Sequence, residues 1–231
     1  MKEYFVKYSF EFLVIFLGIL ISLYFEGVRQ DRFENERKNK SIEQLINVID
    51  QDINQIDNFI KLQEMSLESS NILYDNLNGE INLSNGKIIY HISSVGRALK
   101  SFFPQEGIFN QLISSDLIKR IKSETLKTKL FKLFNEDLQR HDVHTKEYDN
   151  FFLDFNFKLS VNFFLEHNWE TDVNKANQIE ILKYRFNKKF YESDNFFGYL
   201  IESRKNIKSY LDELNELKIK YSDLKSLCID E

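Results

Sequence analysis

A chain of 231 residues is long enough for one domain, or for one domain with a membrane anchor. Its 1 Pro and 7 Gly supply too few breakers for the turns of a β-sandwich, a barrel or a doubly wound sheet, so the composition predicts an all-α fold of long helices. A net charge of -5 argues against a generally basic nucleic-acid coat but allows a local basic patch, and the single Cys228 excludes a disulfide framework or a Cys-based zinc module.

An apolar segment at residues 8–25 predicts a membrane-spanning helix. Eighteen residues reach about 27 Å, just enough for a bilayer core of about 30 Å. The charge-free part, residues 12–25, is short, and a run of that length also fits a buried core helix. A cleavable signal peptide is a further alternative, although no small-x-small cleavage site follows the run. We expect a transmembrane anchor over residues 1–29.

Positive charges flank this segment unequally. Two lysines, Lys2 and Lys7, precede it, and five cations follow it: Arg29, Arg32, Arg37, Lys38 and Lys40. Loops rich in Lys and Arg stay on the cytoplasmic side of a membrane. We therefore expect a single span in the cell inner membrane, with the N-terminus outside and the C-terminal domain in the cytoplasm.

Polar and small side chains fall on one side of the predicted span. On a helical wheel of about 100° per residue, Glu11, Gly18, Ser22 and Arg29 lie within about 20° of one line, and Glu26 lies about 60° away. Gly18 and Ser22 form a small-xxx-small pair, which lets helices approach closely. In a homo-oligomer that turns this stripe to a shared axis, a ring of carboxylates would favour cations. The alternative is that Glu11 reaches the outer interface.

A neck at residues 30–78 is predicted to continue the helix, because neither Pro nor Gly interrupts residues 28–78. Apolar residues recur there at spacings of three and four and form a coiled-coil-like seam: Ile42, Leu45, Ile49, Ile53, Ile56 and Ile60. The opposite face is expected to be acidic, with Glu43, Asp50, Asp52, Asp57, Glu64 and Glu68 against Lys61 alone.

A cytoplasmic helical domain is predicted for residues 79–231. Two Asn-Gly pairs, at residues 78–79 and 85–86, indicate a loop between helices, with a small hairpin as the alternative. We expect helices at residues 87–101, 108–121, 123–168 (as one helix or two) and 179–190, and a polar loop at residues 172–177. A last long helix carries a second seam, which could pack within the chain or against a sister chain: Ile207, Tyr210, Leu214, Leu217, Tyr221, Leu224 and Cys228.

Catalytic motifs are missing from the sequence, which has no Gly-rich phosphate loop, no GxSxG and no HExxH. His141 and His144 are three residues apart and could share a metal with Asp142 nearby. Such pairs are common by chance, so we expect solvated or capping histidines and no metal site. Cys228 lies on a seam without cationic neighbours and is expected in the core. We predict a protein that is not an enzyme and needs no cofactor.

Basic residues concentrate in two clusters. The first basic cluster comprises Lys119, Arg120, Lys122, Lys127, Lys129 and Lys132, and the second comprises Lys183, Arg185, Lys188 and Lys189, interleaved with Tyr184, Phe186 and Phe190. A smaller group follows at Arg204, Lys205 and Lys208. Cations bind phosphates and aromatic rings stack on bases, a combination typical of sites for single-stranded nucleic acid or nucleotides. The alternatives are solvated helix faces over core aromatics, or a patch that complements the acidic neck.

Two blocks of the sequence resemble a family of small bacterial single-span membrane proteins filed as a domain of unknown function. The first block comprises GILIS at residues 18–22, then Arg32, Glu36, Leu45, Asp52 and Asn54, and the second is FFPQEGIFNQLISSDLIKRI at residues 102–121. The chain departs from the family at two places. The Trp usual after the span is absent, and Asp116 stands where a glycine is common.

Within that family, the layout is similar to the membrane effectors of the two-gene Hailong anti-phage systems. That resemblance implies a homo-oligomeric channel, with a tetramer as the working assumption. It also implies that a short oligodeoxyadenylate, made by a partner nucleotidyltransferase, holds the channel shut. Under the channel hypothesis, the two basic clusters would bind this anion across subunits. Loss of the ligand would open the pore and damage the infected cell. The alternative from the residues alone is a non-catalytic, membrane-anchored helical scaffold for a protein complex.

Overall fold

One helix carries both the apolar segment and the start of the domain. The structure, a computed structural model, describes residues 2–167 and 181–231. Helix α1 (Lys2–Leu77) runs through Gly27 without a break, and its 76 residues make a rod of about 114 Å. The predicted anchor and the predicted neck are therefore parts of the same helix.

The two parts of α1 have different surroundings. Side chains over residues 8–37 are mostly exposed, whereas one face of the helix becomes buried from Lys38 onward. Leu45, Ile49 and Ile56 have no exposed surface. The predicted seam is thus confirmed at its centre, and α1 beyond Lys38 is built into the helical domain.

Helix α7 (Asp194–Ile229) lies antiparallel along α1. Its lysines join the two helices, because Lys225 Nζ and Lys218 Nζ each lie 2.6 Å from an aspartate oxygen, of Asp50 and Asp57 respectively. The predicted seam of α7 is buried throughout: Ile207, Tyr210, Leu214, Leu217, Tyr221, Leu224 and Cys228. The second seam therefore packs within the chain.

Shorter helices fill the chain between α1 and α7. They are α2 (Asn85–Gly96), α3 (Gly107–Ser114), a 3₁₀ turn (Leu117–Arg120), α4 (Glu124–Lys132), a π-helical turn (Leu133–Asp137) and α5 (Leu138–Asn162). Ser84 and Ser123 cap α2 and α4 by accepting a hydrogen bond from a backbone N–H three residues later. The loop before α2 and the short helices at residues 108–121 agree with the sequence-based prediction, whereas α2 ends earlier than predicted.

A small β-hairpin stands where helices were predicted. Strands β1 (Phe164–His167) and β2 (Ile181–Arg185) pair antiparallel, and a short α6 (Lys188–Tyr191) follows. The predicted helices at residues 123–168 and 179–190 are therefore wrong over these stretches. Helix α5 ends because buried Phe163 takes an extended backbone, with φ of −118°. The predicted loop at residues 172–177 lies outside the described residues.

An aromatic cluster at the base of the hairpin explains why the helices stop there. The ring of Phe163 lies 5.9 Å from Phe186, 5.6 Å from Phe190 and 6.0 Å from Phe196. These four side chains come from the end of α5, the chain after β2, α6 and the start of α7. Burying all of them together brings the two extended segments side by side.

A non-helical segment at residues 97–106, here called the core segment, enters the interior of the domain. Buried backbone groups need hydrogen-bond partners, and side chains supply them here. Gln63 Nε2 on α1 donates to the carbonyls of Ala98 and Lys100, at 3.1 Å each. Tyr210 Oη on α7 accepts from the N–H of Phe102 at 2.8 Å.

Two further buried side chains make polar contacts with the core segment. Asp52 on α1 is fully buried and accepts from the backbone N–H of Gln105 at 3.2 Å. His141 on α5 contacts the Phe102 carbonyl through Nε2 at 3.2 Å and Glu213 through Nδ1 at 2.9 Å. The core segment therefore ties α1, α5 and α7 into one packed unit.

Candidate functional site

No other helix or strand of the described chain packs against the polar stripe of the apolar segment. Because α1 is continuous, Glu11, Gly18 and Ser22 keep the common face that the wheel predicts, and all three are exposed. A Cβ placed on Gly18 would meet no atom within 4 Å. Glu26 and Arg29 form an exposed ion pair at 2.7 Å. This face is open to a neighbouring helix.

The apolar faces of the same segment are equally open. Among the described residues there is one helix long and apolar enough to cross a membrane, and its apolar window has a mean hydropathy of 2.0 with no buried residue. Fourteen large apolar or aromatic side chains are exposed between residues 8 and 25. Exposed patches of this size are typical of surfaces that contact lipid or other proteins.

The first basic cluster lies at the end of the domain nearest the apolar segment. The guanidinium of Arg120 lies 3.3 Å from Asp31 Oδ1 on α1. Asp31 follows Phe25 by six residues, which is about 9 Å along the helix. The cluster is therefore close to the plane where the apolar segment ends.

Most cations of the first basic cluster are already neutralised by acids. The pairs are Lys119 with Asp116 at 2.8 Å, Arg120 with Asp31 at 3.3 Å, Lys127 with Glu124 at 2.5 Å, and Lys129 with Asp223. Within the described residues, Lys122 and Lys132 are exposed and have no acidic partner. The cluster is thus a set of surface ion pairs with two free lysines.

The second basic cluster lies at the far end of the domain. Tyr191 Oη, next to this cluster, donates to Asn76 Oδ1 at 2.7 Å, close to the last turn of α1. From Asp31 to Asn76 the helix rises about 68 Å. The two clusters therefore do not converge within one chain.

One face of the hairpin combines free cations with an exposed ring. The register places Phe164 opposite Arg185, and Lys183 Nζ lies 5.7 Å from the centre of the Phe164 ring. The Phe164 side chain is 47% exposed. Sequence reasoning missed Phe164, because only the strand pairing brings it beside the cations. The cations can bind a phosphate, and the exposed ring beside them can stack on a base.

The aromatic residues expected in the second basic cluster have other roles. Phe186 and Phe190 pack on Phe163 in the core. Tyr184 alternates to the opposite hairpin face, where its hydroxyl lies near Gly86. Two cations follow β2 on α6: Lys188, paired with Glu192 at 3.6 Å, and Lys189, which is exposed.

Within the third basic group, Arg204 contacts side chains of α1. Its guanidinium lies 4.2 Å from the ring centre of Tyr74, and its Nε donates to Asn71 Oδ1 at 3.0 Å. Lys205 pairs with Glu202 at 3.2 Å. The Arg204 contacts hold α7 on α1, whereas the Lys205 pair lies within α7.

The acidic side chains of α1 do not form the single exposed face that the sequence predicts. Asp50 and Asp57 pair with lysines of α7. Asp52 lies in the core, where burial raises the pKa of its carboxyl group. Hydrogen bonds from Gln105 lower this pKa, but the effect of burial is larger. The acids that complement lysines of α7 are therefore part of the domain's own packing.

His141 and Cys228 lie in the core, whereas His144 lies at the surface. His141 is buried in the core-segment contacts, so the expected solvated or capping role is wrong for it. His144 is exposed, 3.6 Å from Glu213. In the part of the chain that the structure describes, no group of three His, Cys, Asp or Glu residues could hold a metal. Cys228 is buried as predicted, and burial raises the pKa of its thiol to about 12.

Comparison of the chain with protein-family models, with curated proteins and with solved structures finds no match. Functional inference therefore depends on the exposed apolar segment, its polar stripe and the hairpin face.

Proposed function

We propose that the chain is a single-span membrane protein that assembles into a homo-oligomeric ion channel, gated by an anionic nucleotide or oligonucleotide bound to its cytoplasmic helical domain. The observation that carries the proposal is the apolar segment at residues 8–25. It is exposed on all sides, yet it belongs to the same helix that forms the domain core.

Transfer of this segment into lipid is strongly favourable. Each large apolar side chain gains about 1.5–3 kcal/mol on burial, so the fourteen exposed ones gain on the order of 20–40 kcal/mol. A charge at the bilayer centre costs about 2.5–3.5 kcal/mol on insertion scales, and less near an interface, where Glu11 lies. The apolar gain exceeds this cost by a wide margin. The excess of cations after the segment supports a cytoplasmic position for the domain.

The polar stripe supports assembly of the spans. A carboxylate and small residues on one face are best removed from lipid by facing other copies. Gly18 and Ser22 permit close approach there, and Glu11 then contributes one carboxylate per copy to a ring that favours cations.

The hairpin face is the better of the two basic clusters as a ligand site. Lys183 and Arg185 are exposed and form no ion pair within 4 Å among the described residues, and Phe164 offers a ring for stacking. The strand register also sets one acid, Glu166, opposite Lys183 on this face. The resemblance to Hailong effectors suggests a short oligodeoxyadenylate as the ligand and a nucleotidyltransferase as its source. Such a ligand closes the channel only if it binds the closed state more tightly than the open one.

Ion flux from liposomes tests this function. The full-length chain is reconstituted, and flux is measured with and without a short oligodeoxyadenylate. We expect flux without the ligand, block by the ligand, and reduced cation selectivity in Glu11→Gln. Absence of flux under both conditions contradicts the channel.

Variants of the hairpin face test the ligand site separately. Phe164→Ala removes a stacking ring worth about 1–3 kcal/mol per base, so block should need roughly 5- to 100-fold more ligand. The double variant Lys183→Ala/Arg185→Ala should also weaken block. Arg140→Ala/Lys146→Ala removes the same charges from exposed positions on α5 and is the matched control. Equal effects of the two double variants would argue against a site on the hairpin.

A non-catalytic scaffold remains the second candidate, and a specific surface favours it. Leu153, Phe157 and Val161 lie one turn apart on α5 and are all exposed, and Phe164 and Leu182 on the hairpin are exposed as well. An apolar stripe of this kind suits a protein partner. A monomeric chain that ignores oligonucleotides, and whose Glu11→Ala variant behaves normally, would favour the scaffold over the channel.

A further inference from the structure

Helix α1 carries a second row of residues at coiled-coil spacing, distinct from its buried seam. The row has spacings of four and three and is exposed throughout: Lys40, Gln44, Asn47, Gln51, Asn54, Asn58 and Lys61. It is called the amide row here, because its five central members are Asn or Gln.

The amide row points away from the chain's own domain. Asn47 lies two residues after buried Leu45, and Asn54 lies two residues before buried Ile56. Two residues correspond to about 200° around a helix, so the row is on the far side from the seam. No other element of the described chain covers this side, apart from the Gln105 side chain, which donates to Gln51 Oε1 at 3.1 Å.

The row also continues toward the polar stripe of the span. Ser22, Glu26, Gln30, Phe33 and Arg37 precede Lys40 at spacings of four and three, and all are exposed. Phe33 places a large apolar ring on this line, 57% exposed, at the level where the domain begins. One continuous face thus joins the stripe in the apolar segment to the amide row.

The chemistry of the row suits contact between identical copies. Copies anchored by the same N-terminal span must lie parallel, so each residue meets its own counterpart at the same height. An amide carries a donor and an acceptor and can pair with another amide, whereas a charged residue would meet its own charge. Buried polar residues at such positions are known to set register and subunit number in coiled coils. Five successive amides satisfy this requirement.

We propose that the amide row is the contact face between α1 helices of a parallel homo-oligomer, with a second copy of this chain as its occupant. The inference rests on the proposed oligomeric function and names the surface that would hold the cytoplasmic parts together. The helical domains then surround a central bundle of α1 helices, whose amide contacts from Gln44 to Asn58 extend about 21 Å.

Single cysteines test the proposal in membranes that contain the full-length chain. Asn47→Cys and Asn54→Cys lie on the row, and Asn150→Cys is an exposed control on α5. The native Cys228 can stay, because it is buried and its high pKa keeps it out of disulfide exchange. Oxidation, or a short bismaleimide, should yield about tenfold more linked dimer at both row positions than at Asn150, since neighbouring copies raise the effective concentration.

A cysteine in the span separates the inference from the function on which it rests. If Ser22→Cys forms dimers but the row positions link no better than Asn150→Cys, the amide row is not the contact face, while the oligomeric span stands. If no position links, both ideas fail. If all positions link equally, random collision is the cause and the inference is overturned.

Charge placement gives a second measurement that does not depend on disulfide geometry. Asn47→Asp/Asn54→Asp places like charges opposite each other in every copy, so the oligomer should dissociate on native mass spectrometry in detergent. Asn150→Asp adds charge elsewhere and should leave the oligomer intact. An oligomer unchanged by the double substitution would overturn the proposal.

Discussion

The ion pair between Lys38 and Glu231 links α1 to the end of α7, close to where the apolar segment leaves the domain. Their charged atoms are 2.7 Å apart, and the two side chains are only 5% and 2% exposed. The Glu231 carboxylate also accepts from the backbone N–H groups of Lys122 and Ser123, at 2.8 Å and 3.0 Å. Replacing Glu231 by Gln leaves the Lys38 ammonium buried without a counter-charge.

The cost of that replacement follows from burial. Removing one partner of a buried pair costs about 3–5 kcal/mol, because the remaining charge is neither solvated nor paired. For a domain of this size, each kcal/mol lowers the melting temperature by about 2–4 °C, so Glu231→Gln should lower it by roughly 10 °C. Lys38→Met/Glu231→Gln removes both charges and should recover most of that loss.

The pH dependence gives an independent check. Burial raises the pKa of Glu231, but the hydrogen bonds from Lys38, Lys122 and Ser123 outweigh it and hold the pKa below its ordinary value of 4.5. A carboxylate with a lowered pKa stabilises the fold above that ordinary value, and its contribution is lost as the pH falls through the lower, folded value. The difference between wild type and Glu231→Gln should therefore be full at neutral pH and shrink below about pH 4.

The measurement is a thermal melt of the full-length chain in detergent, followed by far-ultraviolet circular dichroism. The reasoning is refuted if Glu231→Gln melts with the wild type at neutral pH. It is also refuted if the double variant is no more stable than Glu231→Gln, because the penalty then does not come from the unpaired Lys38.

Three further predictions concern the folded domain. Gln63→Leu removes the donor to the Ala98 and Lys100 carbonyls and the acceptor of the buried Tyr148 hydroxyl. It should cost about 1–3 kcal/mol in a urea titration, and a variant as stable as wild type would contradict the role of the core segment. Asp116 has φ of 58°, a left-handed backbone that Gly and Asn tolerate better than Ala. Asp116→Ala should therefore lower the free energy of unfolding by about 1 kcal/mol, whereas Asp116→Gly and Asp116→Asn should leave it unchanged. An equal loss in Asp116→Asn would show that the charge matters instead of the backbone. Cys228 should react with iodoacetamide at about pH 8 only after denaturation, because its thiol is buried with a pKa near 12. Mass spectrometry would detect the label, and rapid labelling of the native chain would refute this prediction.

The long helices could be predicted because their signal is local. The seams of α1 and α7 repeat every three to four residues, and a repeat of that kind is visible within any few turns. The hairpin could not be predicted in this way. Its position depends on Phe163 meeting Phe186 and Phe196, which are more than twenty residues away in sequence.

The spacing of the buried polar residues of α1 predicts their burial, whereas their polar chemistry suggests a surface position. Asp52, Gln63, Ser66 and Ser70 follow the same three-and-four spacing as the apolar seam and are all buried. Reading their chemistry alone assigns Asp52 to an acidic surface, whereas its spacing places it in the core. Asp52 and Gln63, in register with the seam, meet the need of a backbone segment, residues 97–106, for partners inside the domain.

The partners of the basic clusters could not be deduced from one sequence. Four of the six cations in the first cluster pair with acids, two of which, Asp31 and Asp223, are distant in sequence. In the second cluster, the strand register decides that Phe164 joins Lys183 and Arg185. Local patterns identify basic stretches, but tertiary pairing determines which cations stay free for a ligand.

The length of α1 constrains how a ligand could control the proposed channel. The hairpin face lies near Asn76 and the apolar segment ends at Phe25, about 77 Å away on the same helix. Along most of that distance α1 is packed against α7. We therefore expect a difference in ligand affinity between the open and closed states to come from contacts that change between copies. We therefore expect the ligand site and the amide row to be coupled, because both require the exposed sides of neighbouring chains to meet.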